Sequence, residues 1–414
     1  MSEKRTYREA SATEKIYIAT STIVVSRSSL VGTVSREQFE QAVSYLEARY
    51  GILRSAVEDG LFVERTDRLP PLQAWMAAES CSVEDMYARL LNAGLDTGAR
   101  VYEIYVIAAE DALEVFMLTS HAITDATSLV ELHSYLAYAC DCVVQSSVPL
   151  VEEQPFPAPV DAAVEKSLAD LPADRRSSVP SYAGDFAEIA MPAPYAGAPA
   201  RHALDQLVIE ADDVHRISAA SHAQGSSVHS LLLAAFALAI REAAEARPRQ
   251  ILMRSSIDMR RRLEPHVSAD LVFSAITGHI SLVPDLDQPL FEIARLIFAD
   301  VHAGVANGSI YLDYVNYPKT FGSPQQAPVA LNVSDMQSVT FHWPMKSLKV
   351  AGFEYALGWL KRFPNVSVAV YDGKLTANTV YVEQFVSPAT MRTVSQSVAR
   401  MLIEAGRAQR SGEA

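Results

Sequence analysis

Cysteine is scarce. Cys81, Cys140 and Cys142 are the only three in 414 residues. Cys140 and Cys142 form a Cys-x-Cys spacing with no second pair, which suits neither a disulfide framework nor a zinc site. A reducing compartment is the expectation. Positive charge is in deficit as well: 35 Lys and Arg against 49 Asp and Glu give a formal net charge of -14. Nonspecific nucleic-acid binding is therefore disfavoured, because no general excess of cations is present to displace phosphate counterions. Local basic stretches remain. Met259 to Arg262 is one, and Lys346, Lys349, Lys361 and Arg362 are others; such groups suit a phosphorylated cofactor or an acidic carrier protein. No apolar run reaches membrane-spanning length, since SLLLAAFALAI at 230–240 is too short. The opening MSEKRTYREASATEK has no signal-peptide core. These readings predict a soluble, cytoplasmic protein without membrane insertion. Gly-x-Gly-x-x-Gly after a strand, a phosphate loop and a Gly-x-Ser-x-Gly elbow are all missing, which weighs against nucleotide cofactors, NTP hydrolysis and serine-hydrolase chemistry. The histidines and carboxylates show no metal-binding spacing, so neither a metal nor a bound cofactor is expected.

The chain is nonetheless 49% hydrophobic, enough for substantial cores, and its length fits two large domains. Residues 16–26 (IYIATSTIVVS) read as a strand. A helix follows, with Phe39, Ala42, Val43, Leu46 and Tyr50 at helical spacing. Ser35 and Gln38 form its capping box and Gly51 its stop. GLFVERTD is a short strand candidate, and residues 101–107 and 113–119 read as a hairpin around AAEDA. Residues 125–142 carry Leu129, Leu132, Leu136 and Ala139 on one helical face. A Pro-, Ala- and Gly-rich texture from about 145 to 203 marks a crossover. The expected division is 1–175, a linker at 176–203, and 204–414. The second part reads as strand, helix, turn at Gly225, long apolar helix, a strand RQILMRSSIDM, a strand at 271–283, and a helix FEIARLIFADVHAGVANG. APVALNVSDM and SVTFHW are strand candidates. Asp372-Gly373 joins a closing hairpin before a final amphipathic helix. Both halves mix strands with packed helices, without the strict alternation of a doubly wound sheet, so the fold class is α/β of the mixed α+β kind.

The chemistry concentrates in TSHAITDATSL, residues 119–129. His121 lies in a strand-to-helix turn, and Asp125 stands at the helix start, where its charge suits the dipole and its side chain suits an N-cap. A neutral imidazole takes a proton from an incoming hydroxyl or amine. It needs a fixed tautomer, which a nearby carboxylate supplies directly or by holding the turn. Spacing alone leaves open whether Asp125 touches the ring or pairs with an arginine, and His-x-x-x-Asp by itself is weak.

The surroundings sharpen the reading. Ser120-His121-Ala122-Ile123-Thr124-Asp125-Ala126 resembles the His-His-x-x-x-Asp-Gly motif of the superfamily of condensation domains and chloramphenicol acetyltransferase. The resemblance leans to the polyketide-associated, phthiocerol dimycocerosyl transferase-like acyltransferases. Ser11 and Glu14 in SATEKIYI, the segment ARYGILRSAV, the helix SSVHSLLLAAFALAI, SSIDMRRRL with ITGHISLV, ALNVSDM and DGKLTANTVY resemble further family segments in order, over nearly the full length.

That resemblance implies two chloramphenicol-acetyltransferase-like halves in a V with a tunnel between them. His121 is the implied base, deprotonating a hydroxyl or amine that attacks an acyl thioester of coenzyme A or an acyl carrier protein; a small-molecule acceptor completes the reaction. Asp125 is implied to make a structural salt bridge, with Arg260 as partner and Asp258 as helper. Asn332 or Ser334 are the oxyanion candidates, by approximate position. Tyr311, Tyr314, Tyr317 and Phe321 read as either a pocket wall or a packed surface loop, and His342 beside Trp343 reads first as an ordinary histidine, with the acceptor channel as the alternative. His133, His229 and His279 read first as packing, capping or strand-end residues. Two positions depart from the motif. Ser120 replaces a histidine that is commonly structural, and Ala126 replaces a glycine, which bears on tunnel width. A catalytically divergent relative that binds a carrier-tethered intermediate or promotes cyclisation is the second reading. A non-catalytic metabolite-binding or scaffold protein is the third.

Overall fold

Short polar residues decide where the first helices begin. The structure is a computed structural model, and it describes residues 5–65, 70–172, 182, 184–189, 200–244, 248–264, 266–323, 326–359 and 361–408. After strand β1 (Thr6–Glu9), Ser11 caps helix α1 (Ala12–Ala19). Its Oγ accepts the Glu14 N–H at 3.3 Å, the Glu14 carboxylate accepts the Ser11 N–H at 2.7 Å, and Arg8 closes both carboxylate oxygens. The expected strand at 16–26 is thus corrected. Ile16 to Ala19 complete α1, and strand β2 is Ile23–Val31. The β-branched residues signalled a strand, but the capping box just upstream starts a helical turn that runs through them.

Helix α2 (Arg36–Arg49) has the expected Ser35–Gln38 capping box. Tyr50 caps its other end, and Gly51 opens a single 3-10 turn, Gly51–Arg54, rather than stopping the helix. There follow β3 (Ser55–Glu58), β4 (Leu61–Glu64), β5 (Leu72–Ala77) and α3 (Val83–Ala93). The expected hairpin is β6 (Tyr102–Ala108) with β7 (Ala112–Ser120), pairing Tyr102 with Thr119 and Ala108 with Leu113. Helices α4 (Ala126–Val144) and α5 (Asp161–Ala169) come next. The expected linker lies mostly outside the described residues. Then come β8 (His202–Ile209), α6 (Ala211–Ala223), the turn at Gly225 with φ +66°, α7 (Val228–Ala243) and β9 (Ile251–Asp258). They are followed by β10 (Ile276–Val283), α8 (Leu290–Ala306), α9 (Ser309–Thr320), β11 (Leu331–Ser338), β12 (Lys349–Gly358), β13 (Asn365–Tyr371), β14 (Lys374–Val382) and α10 (Pro388–Ala408).

Three further expectations change. The strand within 271–283 starts only at Ile276, because the backbone at Phe273 and Ala275 is held by side chains instead. SVTFHW is not a strand beyond Ser338. His342 and Trp343 give their backbone N–H groups to Ser134 of α4, which replaces ladder pairing. Tyr311 to Thr320 form helix α9, not a loop.

The described chain packs as two compact units. One comprises the residues through Asp161, Arg260–Ala275 and Val339–Trp359; the other comprises Ala162–Met259, Ile276–Ser338 and the residues beyond Trp359. The first unit holds a sheet in the order β12-β2-β7-β6-β5, antiparallel except for β5 with β6, and a small sheet β1-β4-β3. Helix α4 is buried almost all round and packs on α2. Cys140 and Cys142 are buried free thiols on α4, and burial pushes the Cys140 thiol up. The second unit holds a six-stranded sheet in the order β10-β9-β11-β13-β14-β8, with β11 parallel to both β9 and β13. Helices α7, α8 and α10 cover one face. Leu231, Phe236, Ile293 and Val394 pack there against Met253, Val333 and Val368. The fold is mixed α/β. Among the described residues no single helix is long and apolar enough to cross a membrane.

His279 on β10 ties two helices to that sheet. Its Nε2 lies 2.9 Å from Asp300 of α8 and its Nδ1 3.3 Å from Asp313 of α9. Gly304 leaves the space, since a Cβ there would come within 2.6 Å of the ring. Burial depresses the imidazole, but the two carboxylates outweigh burial and push its pKa up to about 9. A raised folded value stabilises fully below the unfolded pKa of about 6.5, and the gain fades as pH rises towards 9. Urea unfolding at pH 6 and pH 9.5 is expected to show the native protein losing about 1–3 kcal/mol relative to His279→Gln. An equal pH response in both proteins overturns this.

Candidate active site

The turn between β7 and α4 is built from its own hydroxyls and carbonyls. Ser120 Oγ accepts the Ala122 N–H at 3.3 Å, and Ser120 O accepts the Ile123 N–H at 3.1 Å. Thr124 Oγ1 bonds Thr119 Oγ1 at 2.8 Å and donates to Ser120 O at 3.2 Å. The His121 N–H reaches across to Thr22 O of the segment before β2 at 3.0 Å. These bonds hold the backbone around His121 on both sides.

The ring is fixed in the same way. His121 Nδ1 lies 2.6 Å from Thr124 O. A carbonyl only accepts, so Nδ1 carries the proton and Nε2 carries the lone pair. The ring stacks on Tyr17 of α1 with centroids 4.4 Å apart and planes 27° apart. His121 is 7% exposed. Backbone, rather than a carboxylate, sets the tautomer.

Asp125 does something else. As N-cap of α4 it accepts the Ser128 N–H at 3.0 Å through Oδ1. Its Oδ2 takes Arg260 Nη1 at 2.5 Å and the Ala275 N–H at 2.8 Å. Arg260 Nη2 donates to Ser128 Oγ at 2.9 Å and to Phe273 O at 2.8 Å, and its guanidinium lies 4.7 Å from the Phe273 ring centre. Ser128 Oγ also donates to Phe273 O at 2.8 Å and accepts the Phe273 N–H at 3.1 Å. Arg260 is 1% exposed and Asp125 2%. Burial alone would raise the Asp125 carboxyl. The charge and hydrogen bond of Arg260, with the N–H groups of Ser128 and Ala275, outweigh it and hold the pKa below the ordinary value. The pair therefore anchors the start of α4, directly after the carbonyl that orients His121.

The remaining candidates divide. Ala126 is the first residue of α4 in ordinary helical backbone, so the departure from glycine imposes no left-handed strain. Asp258 ends β9, where its backbone pairs with Ile276, and Asp125 places a carboxylate on Arg260. His342 lies 3.3 Å from Glu131 Oε2, a carboxylate that Tyr50 OH and Trp343 Nε1 also reach. That places His342 two turns of α4 away from the motif. Asn332 and Ser334 stand on β11, and Tyr314 and Tyr317 on α9, all in the second unit. Both amide hydrogens of Asn332 are engaged, with Ser256 Oγ at 3.1 Å and Asn365 Oδ1 at 2.6 Å. Ser120, Thr124 and Asp125 could be read as a group from the motif. Tyr17, Phe273 and Ala275 carry no such signal, because they join the site through tertiary contact.

Residues 198–381 match the family model described as phthiocerol/phthiodiolone dimycocerosyl transferase C-terminus. The chain therefore contains a domain related to those transferases. No curated protein sequence matches it significantly. Among solved structures it is similar to polyketide synthase associated protein 5 from Mycobacterium tuberculosis, with TM-score 0.78, 17% identity, and 98% of this chain and 100% of that one covered. It is also similar to a trichothecene 15-O-acetyltransferase from Fusarium sporotrichioides, with TM-score 0.73, 12% identity and coverage of 98% and 96%. A third similar structure is the epimerization domain from the third module of tyrocidine synthetase B, with TM-score 0.69, 12% identity and coverage of 100% and 98%. At identities of 12–17% these are likenesses of fold.

Proposed function

We propose that this protein is an acyltransferase. It moves an acyl group from a coenzyme A or acyl-carrier-protein thioester to a hydroxyl of a polyketide- or lipid-like acceptor. The observation that carries the reading is the 2.6 Å bond from His121 Nδ1 to Thr124 O, which leaves Nε2 as the basic nitrogen on a ring held by Tyr17. In the proposed step Nε2 takes the acceptor's hydroxyl proton as its oxygen attacks the thioester carbon. The tetrahedral oxyanion collapses, the C–S bond breaks, and the imidazolium returns the proton to the departing thiolate. An ester and a free thiol result. Asp125 and Arg260 act as positioning residues. Asn332 and Ser334 are the oxyanion candidates of this proposal. The tunnel between two halves that the sequence resemblance implies belongs to this proposal too.

The ester preference rests on the related transferase domain at 198–381. Both motif departures are compatible with the reaction, because Ser120 still braces the turn and Ala126 sits in unstrained helix. Thioester consumption followed by mass spectrometry tests the reading. A panel of acyl-coenzyme A and acyl-carrier donors would be offered with mixed alcohols and amines. An ester formed with release of free thiol is the expected result. A carrier-bound intermediate held tightly, with the thioester intact across the panel, would instead favour the divergent, non-transferring reading.

A further inference from the structure

Two threonines are buried beside His121 among apolar neighbours. Thr119 and Ser120 are the last residues of β7, and Thr124 directly precedes the cap of α4. Thr119 and Thr124 are wholly buried, as are Met117, Leu118, Ala122 and Ile123 around them in sequence. Valine would fill the space of either threonine with no hydroxyl to desolvate, and a buried hydroxyl costs stability unless it is bonded. Both are bonded, and to each other. Thr124 Oγ1 donates to Ser120 O at 3.2 Å, a carbonyl that also accepts the Ile123 N–H at 3.1 Å. Each threonine has a single hydroxyl proton. With that of Thr124 on Ser120 O, Thr119 is the donor across the 2.8 Å between the two hydroxyl oxygens. Val24 O of β2, at 3.4 Å, is its longer alternative.

The bonds therefore run in one direction, from the strand into the turn. They end on the residue whose backbone carbonyl lies 2.6 Å from His121 Nδ1. A β-branched side chain is stiff at χ1, so fixing Oγ1 of Thr124 also fixes the Cα from which that carbonyl projects. On the far side of the same peptide group, Asp125 is held as N-cap by the Ser128 N–H at 3.0 Å. Thr124 O is thus clamped from both sides. Stacking on Tyr17 fixes the plane of the imidazole, but a ring face does not choose which nitrogen carries the proton. The carbonyl chooses, because it only accepts.

We infer that Thr124 and Thr119 are positioning residues for His121. Their paired hydroxyls aim the carbonyl that keeps the proton on Nδ1. The effect on rate rests on the acyl-transfer reading, whereas the effect on the ring does not.

The test uses the full chain with isotope-labelled histidine. Long-range proton–nitrogen spectra in alkaline buffer, where imidazoles are neutral, distinguish a protonated from an unprotonated ring nitrogen. The signals missing from His121→Ala identify the ring. The native imidazole is expected to carry its proton on Nδ1 and to exchange it slowly with solvent. In Thr124→Val the proton is expected to exchange about tenfold faster and to divide between the two nitrogens. Thioester turnover by this variant is expected to fall about three- to tenfold in kcat, with KM nearly unchanged. Thr124→Ser, which keeps the hydroxyl, is expected to restore the tautomer and most of the rate. Thr119→Val removes the donor alone and is expected to move ring and rate in the same direction, which covers the case that Thr124→Val does not fold. Merely structural threonines would lower Tm on substitution and move neither readout. A native ring in the expected tautomer without turnover upholds the inference and counts against the acyl-transfer reading alone. The inference is overturned if the native proton sits on Nε2, or if neither valine variant changes tautomer or exchange.

Discussion

His121→Ala is expected to slow acyl transfer by about 10²- to 10⁴-fold, the range that positioned proton transfer supplies. The fold should survive, because the turn is held by Ser120, Thr124 and Thr22 through bonds that do not involve the ring. The replacement leaves a cavity against Tyr17 that matches an imidazole ring. Added imidazole is therefore expected to restore part of the rate in the variant and none in the native protein. Stopped assays of thiol release, with and without imidazole, make the measurement. A variant within a few-fold of native would remove His121 as the base, whatever else the protein proves to transfer.

Arg260→Met carries the largest expected effect on stability, about 3–5 kcal/mol, because it strands a buried carboxylate. Asp125 and Arg260 are 2% and 1% exposed, so water does not take over the lost bond. The sign of the pH dependence follows. In the native protein the Asp125 pKa is lowered, so its contribution is present above the unfolded value near 3.9 and is lost as pH falls below it. In Arg260→Met burial is left to raise that pKa, and acid relieves the stranded charge. The gap between native and variant should therefore shrink from pH 8 to pH 5. Adding Asp125→Asn to Arg260→Met should recover stability, since an amide can still cap α4 without a charge. Urea unfolding of the native protein, Arg260→Met, Asp125→Asn alone and the double variant gives the coupling directly. Strict additivity, or a gap that widens in acid, would mean that the pair does not act as described.

The sequence was most legible where local rules govern. The capping box at Ser35, the β6–β7 hairpin, the Asp372-Gly373 turn and the apolar face of α4 are set by neighbours in the chain. The motif itself is local too, and Thr124, inside it, turned out to supply the carbonyl that His121 needs. Reading failed where tertiary bonds override local preference. Val339 to Trp343 looks like a strand by composition, but α4 offers Ser134 and Glu131 to that segment, and its backbone is spent there. Phe273 and Ala275 looked like the start of β10, yet they close the Asp125 cluster. Nothing in either segment announces a partner more than a hundred residues away.

That distance bears on how the protein is made. Arg260 lies 135 residues after Asp125, and β12, which pairs with the outer side of β2, comes later still. A growing chain thus finishes Asp161 about 200 residues before Trp359 completes the same unit. At 5–20 residues per second this is an interval of roughly 10–40 s. Throughout it β2 has one bare edge, and Asp125 lacks the guanidinium that compensates it. The amino-terminal portion is consequently not a free-standing piece. Its last partners, Arg260 and β12, are encoded much later in the chain.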